Sequence, residues 1–469
     1  MKKVSVIAAA VVGALASGVV MAEDKVQEGW QVNGYGHLLY NVGQSLALNE
    51  TWEHRRDYRA AGAPFSGNPN QVEFTVTKGN NYDNGAWSKY VLKTEYGNNE
   101  GGNGRGFYGS SSGNEGHLET GQLEFKEAYV ELGDLSYFAE GMSIWTGKRY
   151  LNRQAGIITK EFWKQSSGVG GGVQYNDMGI AVMSADSGEG SCFNGVKEVR
   201  DPNTDDLTGI DGDGNNTSCK NNGLDDKQRS TTMTSVDLYF YGVEALGGRF
   251  DFDAKIMTRA NVDADNTAKD GYGLAVTYSR DYYGFDGWTT SAITYGKGVA
   301  ANRGVNFGQW SGNWQKDDQS IFFTSYGVAN ITDNVQLGTE VTYWNLSNSE
   351  TDQVWGSKDG LSRLIVGATP SYKINENFRL EATLTYAVEA LGDDAGNPGS
   401  PAWGREDKNT SFYSATLAPV FTVNADYWGR PQVKPYVSYM SSSDSNYKWS
   451  NGASDSSETR VGVEAEIWF

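Results

Sequence analysis

The last ten residues, Arg460 to Phe469, read RVGVEAEIWF, with apolar side chains at every second position until Trp468 falls among the polar ones. A period of two is that of a β-strand with one apolar and one polar face. The same period recurs along the chain. In the first such segment Val32, Leu38, Tyr40 and Val42 share a face with Gly34 and Gly36, while Gln31, Asn33, Tyr35, His37 and Asn41 share the other. In the second, Val72, Phe74 and Val76 oppose Gln71, Glu73, Thr75 and Thr77. In the last, Val461, Val463, Ala465, Ile467 and Phe469 oppose Arg460, Glu464, Glu466 and Trp468.

The pattern predicts strands near residues 30–42, 71–78, 87–96, 122–132, 142–149, 168–176 and 178–185. Eleven more follow from Ser235 onward, turning at Gly247-Gly248, Gly284 to Gly287, Thr332 to Asn334, Asn375 to Asn377 and around Arg430. The total is eighteen. Short connections alternate with long polar ones, among them Asn98 to Gly121, Asp186 to Thr232, Lys297 to Asp318 and Glu389 to Asn409. That rhythm and an even count are those of an outer-membrane barrel, whose short turns face the periplasm and long loops face outside. A soluble β-sandwich would also alternate, but it does not account for the aromatics at strand ends or for the terminal phenylalanine on the outward face.

The N-terminus, MKKVSVIAAAVVGALASGVVMAED, has a basic start, an apolar run and a small-residue site ending at Ala22. It reads as a secretory signal peptide over residues 1–22, which leaves 23–469 as a single barrel domain. Few residues then precede the first strand, so neither a plug domain nor an N-terminal coiled coil is expected. Cleavage removes Lys2 and Lys3 and takes the net charge from −19 to −21. Such a chain repels phosphates, and no nucleic-acid partner is expected. No later segment is apolar enough for a membrane helix, so a membrane-spanning chain must be a closed barrel.

Closure sets the last strand beside the first. Tyr35 and Trp468 then stand on neighbouring strands and both face the interior. A pore for water and ions gains little from aromatic rings. A sugar pore gains more, because the C–H face of a pyranose lies flat on an aromatic ring while its hydroxyls reach polar side chains. A one-residue bulge would instead turn Trp468 out as an interfacial anchor.

The chain resembles the maltoporin family in several patches. VNGYGH, from Val32, is similar to that family's FHGYAR. FKEAYVEL followed by IWTGKRYLNRQAGIITKEFW is similar to its FREANV and IWAGKR and to the loop after them. KDGYGLAV and VEAEIWF are similar to its KDGW and EIWW. The resemblance implies an all-β, eighteen-stranded antiparallel transmembrane barrel with an inward-folded third loop. It implies a homotrimer in the outer membrane, with its lipopolysaccharide, and passive diffusion of maltose and maltodextrin-like oligosaccharides along an aromatic slide beside an ionic track. Carried over residue by residue, Tyr35 and Trp468 match slide positions and Phe162 the constriction aromatic. Arg153, Lys126 and His37 fall on track positions, and Arg149 in GKR is a structural or lumenal cation.

Departures are equally specific. Glu73 stands where the family has a slide tyrosine, and Leu274 and Leu364 fall on two further slide positions. Lys160 replaces a track aspartate, and only Phe107 and Tyr108 approximate a slide tryptophan. The slide is therefore shorter or rebuilt. The basic cluster Lys148, Arg149, Arg153, Lys160 and Lys164 is expected to donate to sugar hydroxyls at the constriction.

Other signals point elsewhere. GSSSG at Gly109 to Gly113 matches a nucleophile elbow only formally, since that motif needs a strand-to-helix turn. His37, His54 and His117 are the only histidines, and no Ser/His/Asp set can be assembled with them. DGDGNN at Asp211 to Asn216 could gather oxygens around calcium but lacks the glycine and distal glutamate of an EF-hand loop, so it reads rather as a solvated acidic loop, with Cys192 and Cys219 as a bridge at its base. No catalytic residue, metal or cofactor is expected. The alternatives are a general porin for ions and small solutes, a porin for sucrose or aryl-β-glucosides and, from another class, a barrel enzyme or adhesin.

Overall fold

The computed structural model describes residues 26–42, 71–97, 122–186, 197–200, 207–210, 232–259, 268–307, 314–347, 360–391, 409–443 and 457–469. Its strands are β1 (Gly29–Asn41), β2 (Gln71–Asn81), β3 (Trp87–Gly97), β4 (Gln122–Gly133), β5 (Met142–Ala155), β6 (Phe162–Tyr175) and β7 (Met178–Asp186). A short hairpin follows, β8 (Lys197–Arg200) with β9 (Leu207–Ile210). Next come β10 (Thr232–Ala245), β11 (Gly248–Arg259), β12 (Asp270–Tyr282), β13 (Phe285–Gly298) and the two-residue β14 (Asn306–Phe307). The chain continues through β15 (Gln319–Thr332), β16 (Val335–Ser347), β17 (Leu361–Asn375), β18 (Phe378–Leu391), β19 (Asn409–Thr422), β20 (Gln432–Ser442) and β21 (Ser457–Trp468).

Leaving out β8, β9 and β14, eighteen strands pair antiparallel with their neighbours, and β21 returns to β1 with Tyr35 opposite Trp468. The sheet closes on itself without an edge, as hydrocarbon requires of backbone polar groups. Two-residue turns join several pairs, and Leu246-Gly247 and Tyr283-Gly284 adopt positive φ at both residues. That is the twist-matched hairpin turn.

The alternation read from sequence becomes an inside and an outside. Outward residues such as Val32, Phe74, Ile256, Leu384, Leu417 and Ile467 are exposed. Inward ones such as Asp237, Lys255, Thr277, Arg363 and Glu464 are buried. This inverts a soluble protein and fits a wall between lipid and lumen. Aromatics gather at both ends of the outer face. Tyr272, Tyr343, Tyr413 and Tyr439 lie toward the long loops, and Tyr175, Phe285, Tyr372 and Phe421 toward the short turns.

The terminal Phe469 exchanges both backbone hydrogen bonds with Gly34, at 2.9 and 3.1 Å. Its ring covers Gly34 so closely that a Cβ there would collide with the ring edge. The adjacent pair, Tyr35 and Trp468, is thus a non-hydrogen-bonded one, in which side chains approach more closely.

One hairpin leaves the wall. β5 pairs with β4 only as far as Lys148 opposite Ala128, and β6 joins β7 only from Val169 opposite Ser184. Residues 149–168 pair with each other, with register shifts at Leu151/Gln154 and Gln154/Ala155. On the interior side β14 adds to β6 in parallel at Gln165 and Ser166. The third loop therefore folds inward, as expected.

Candidate functional site

The hairpin divides the bore. Its rear face is packed. Trp163 stacks on Phe322 with ring centroids 6.3 Å apart, in a buried cluster with Phe307, Trp314 and Trp344. Lys164 is 2.5 Å from Asp253, which also accepts from the Tyr241 hydroxyl at 2.7 Å. Lys255 pairs with Asp237 at 2.5 Å. Arg303 pairs with Glu161 and lies over the Trp344 ring at 4.5 Å. These contacts pack the rear of the hairpin against β10, β11, β15 and β16.

The tip is anchored to β16. Glu340 accepts hydrogen bonds from the backbone N–H of Ile158 (2.6 Å) and Thr159 (3.1 Å) and from the Thr159 hydroxyl (2.6 Å). A Cβ on Gly156 would collide with Glu340 Oε1, so a larger residue there would have to displace the carboxylate that holds the tip. On β17, Ile158 lies over Gly367.

The front face looks across the remaining space to β1–β4 and β18–β21. Tyr35, Phe162, Arg153 and Trp468 are only half-buried there. Tyr35 donates to Glu466 Oε1 at 3.3 Å, and the Arg430 guanidinium lies 4.5 Å from the centre of the Trp468 ring. Arg430 Nε also bonds Glu466 at 2.7 Å. Arg153 lies 3.6 Å from the centre of the Phe162 ring and 4.7 Å from that of Tyr150. Lys126 is 3.6 Å from Glu95. Glu73, opposite Tyr35 on the neighbouring strand, faces inward and pairs with Lys93 at 2.5 Å.

Tyr35, Trp468, Phe162, Arg153 and Lys126 thus share the open side. His37 faces the same way but is buried against Glu464 at 3.0 Å. Arg149 is held at the wall, 3.9 Å from Glu131, with its guanidinium 4.6 Å from the centre of the Tyr129 ring and 5.0 Å from that of Trp145.

Several expectations need correcting. Leu274 and Leu364 lie on the outward face, 50% and 36% exposed, and Ala275 and Ile365 turn inward in their stead. Strand parity therefore excludes both leucines from any lumenal slide. Lys148 sits opposite the outward Val169, and Lys164 is sealed behind the hairpin, so neither joins Arg153 and Lys160 at the front. Phe107, Tyr108, His54, His117, GSSSG, DGDGNN and both cysteines lie outside the described residues.

Sequence reasoning missed Tyr150, Arg430 and Lys434. Lys434 is 2.7 Å from Glu464 and 3.5 Å from Glu381, inside a network that also includes Arg379. The polar parity of Lys434, Glu464 and Glu466 was visible, but their meeting depends on how β18, β20 and β21 pair. Among the described residues no group of His, Cys, Asp and Glu is arranged to hold a metal. Chemically the front offers aromatic faces beside hydrogen-bond donors and acceptors, which suits weak, repeated contacts with a polyhydroxylated solute.

A family model described as LamB porin matches residues 67–469. Over 488 aligned residues the chain is 22% identical to the maltoporin of Vibrio cholerae serotype O1 (strain ATCC 39315 / El Tor Inaba N16961), with all of both chains covered. It is 24% identical over 346 residues to maltoporin 2 of Yersinia pestis (strain Pestoides F), covering 70% of each. Among solved structures, OccD3 of Pseudomonas aeruginosa is 9% identical with a TM-score of 0.44, covering 96% of this chain and 93% of that one. In-vitro-folded OmpT of Vibrio cholerae is 10% identical with a TM-score of 0.40, covering 95% and 100%.

Proposed function

The chain belongs to the LamB porin family of outer-membrane β-barrels, and from that membership we propose that it lets maltose and maltodextrin-like oligosaccharides diffuse passively across the outer membrane as a homotrimer. Membership implies a channel rather than an enzyme. The observation that carries the sugar reading is the pairing of Tyr35 with Trp468 on the inward face at the seam of the barrel, beside Glu466 and Arg430. Aromatic faces take the apolar side of a pyranose and the flanking charged groups exchange hydrogen bonds with its hydroxyls. Phe162 on the hairpin offers a third ring, with Arg153 and Lys126 as donors. In this reading His37 and Arg149 support the lining and do not contact sugar directly.

With Leu274 and Leu364 facing lipid, the aromatic row among the described residues is short, which favours short oligosaccharides. The same shortness favours the second reading, a channel for ions and small solutes generally. Maltose added to single channels in a planar bilayer separates the two. Concentration-dependent interruption of the current is expected for the sugar channel, and an undisturbed current across maltose, longer maltodextrins, sucrose and cellobiose would leave the general porin. Trp468→Ala should raise the half-blocking concentration about threefold to tenfold, the loss of one aromatic stack. Equal block in the variant would remove Trp468 from the site.

A further inference from the structure

Arg153 is held in an unusual way. Its guanidinium lies over the rings of Phe162 and Tyr150, 3.6 and 4.7 Å from their centres, so aromatic contacts fix it. Nε is buried without a hydrogen-bond partner, and among the described residues the side chain makes no ion pair. A guanidinium carries five N–H donors in one plane and matches a carboxylate, sulfate or phosphate two bonds at a time.

The rest of the hairpin does not supply the missing negative charge. Residues 149–164 contain Arg149, Arg153, Lys160 and Lys164 against a single acid, Glu161, in a chain whose net charge is −19. Glu161 is taken by Arg303 and Lys164 by Asp253. Lys160 stands 3.6 Å from Glu464, a carboxylate that already has His37 at 3.0 Å and Lys434 at 2.7 Å, and its side chain remains 32% exposed. The front of the hairpin therefore presents positive charge to whatever passes it.

We propose that Arg153 reads a negative charge on the permeating sugar, so that the channel favours saccharides carrying a carboxylate, sulfate or phosphate group over neutral sugars of the same size. The inference rests on the sugar-channel reading above and specifies its substrate class. A neutral hydroxyl also accepts from Arg153, but a charged acceptor makes a bond roughly twice as strong.

The test compares current block by maltose with block by maltose derivatives bearing a terminal uronate, a monosulfate or a monophosphate. The expected half-blocking concentration of the charged sugars is about tenfold below that of maltose, on the order of one charge-assisted hydrogen bond. R153Q should bring the ratio near one, while R153K, which keeps the charge without the fork, retains part of it. The ratio is insensitive to how much protein inserts. The three derivatives separate carboxylate from ester recognition, and preference for any of them supports the proposal. A ratio near one in the parent channel while maltose still blocks, or a preference that survives R153Q, overturns this inference alone. Failure of every sugar to block overturns the sugar-channel reading with it.

Discussion

Glu464 shows how much one inward carboxylate can organise. It receives His37 from the first strand, Lys434 from the penultimate one and Lys160 from the hairpin, and Lys434 bridges onward to Glu381. Removing one member of such a buried network leaves its partners uncompensated, which costs about 3 to 5 kcal/mol where water is excluded. Lys434→Met should therefore destabilise the barrel by about 3 kcal/mol, because it removes the cation that Glu381 and Glu464 share and leaves Glu381 to Arg379 and Glu464 to His37 and Lys160. Equilibrium unfolding in urea from lipid vesicles measures this, and an unchanged midpoint would mean that lumenal water screens the network. The arrangement also steadies Trp468, since Glu466 on the same strand orients Arg430 against its ring.

Among the elements, the inward hairpin is fixed at two places, along its rear face and at its tip. The rear is packed through Trp163 and Lys164, and the tip hangs on Glu340. Glu340 is buried and has only N–H and O–H donors around it among the described residues, Thr342 adding one at 3.2 Å. Such donors satisfy a carboxylate through short charge-assisted bonds. Glu340→Ala frees the tip while leaving the rear packing intact. Its channels should show noisier open-state current and a half-blocking sugar concentration raised by severalfold. Glu340→Gln keeps one accepting oxygen and should fall between the two. Quiet current and unaltered block in the alanine variant would show that rear packing alone holds the constriction.

Taken entire, the barrel is one closed wall whose outer face is apolar and whose two rims carry aromatics. Closure pairs the backbone groups that lipid would leave unsatisfied, and the terminal phenylalanine completes it by covering Gly34. The proposed homotrimer is a property of this scale and follows from family membership. The detergent-extracted protein should migrate as a trimer without heating and as a single chain after boiling, and cross-linking should stop at three subunits. A single chain under all mild conditions would refute the trimer.

Strand positions were legible in the sequence because pleating is local: each alternating segment carries its own inside and outside, and glycine-rich turns mark where it reverses. The inward pairing of Tyr35 and Trp468 followed from that parity once the barrel was taken as closed. The alternation failed where the chain left the wall. Trp163 to Gln165, on β6, are buried in succession, so no period of two announced that the strand begins at Phe162 and not near residue 168. Family likeness alone marked Leu274 and Leu364 as lumenal, and strand parity turned them outward. Which charges are neutralised was settled in three dimensions alone, since Arg303 with Glu161 and Lys434 with Glu464 join residues far apart in the chain. Whether a cation faces the passage or a carboxylate is a matter of distances through space, and those exist only after the wall has closed and the hairpin has folded into it.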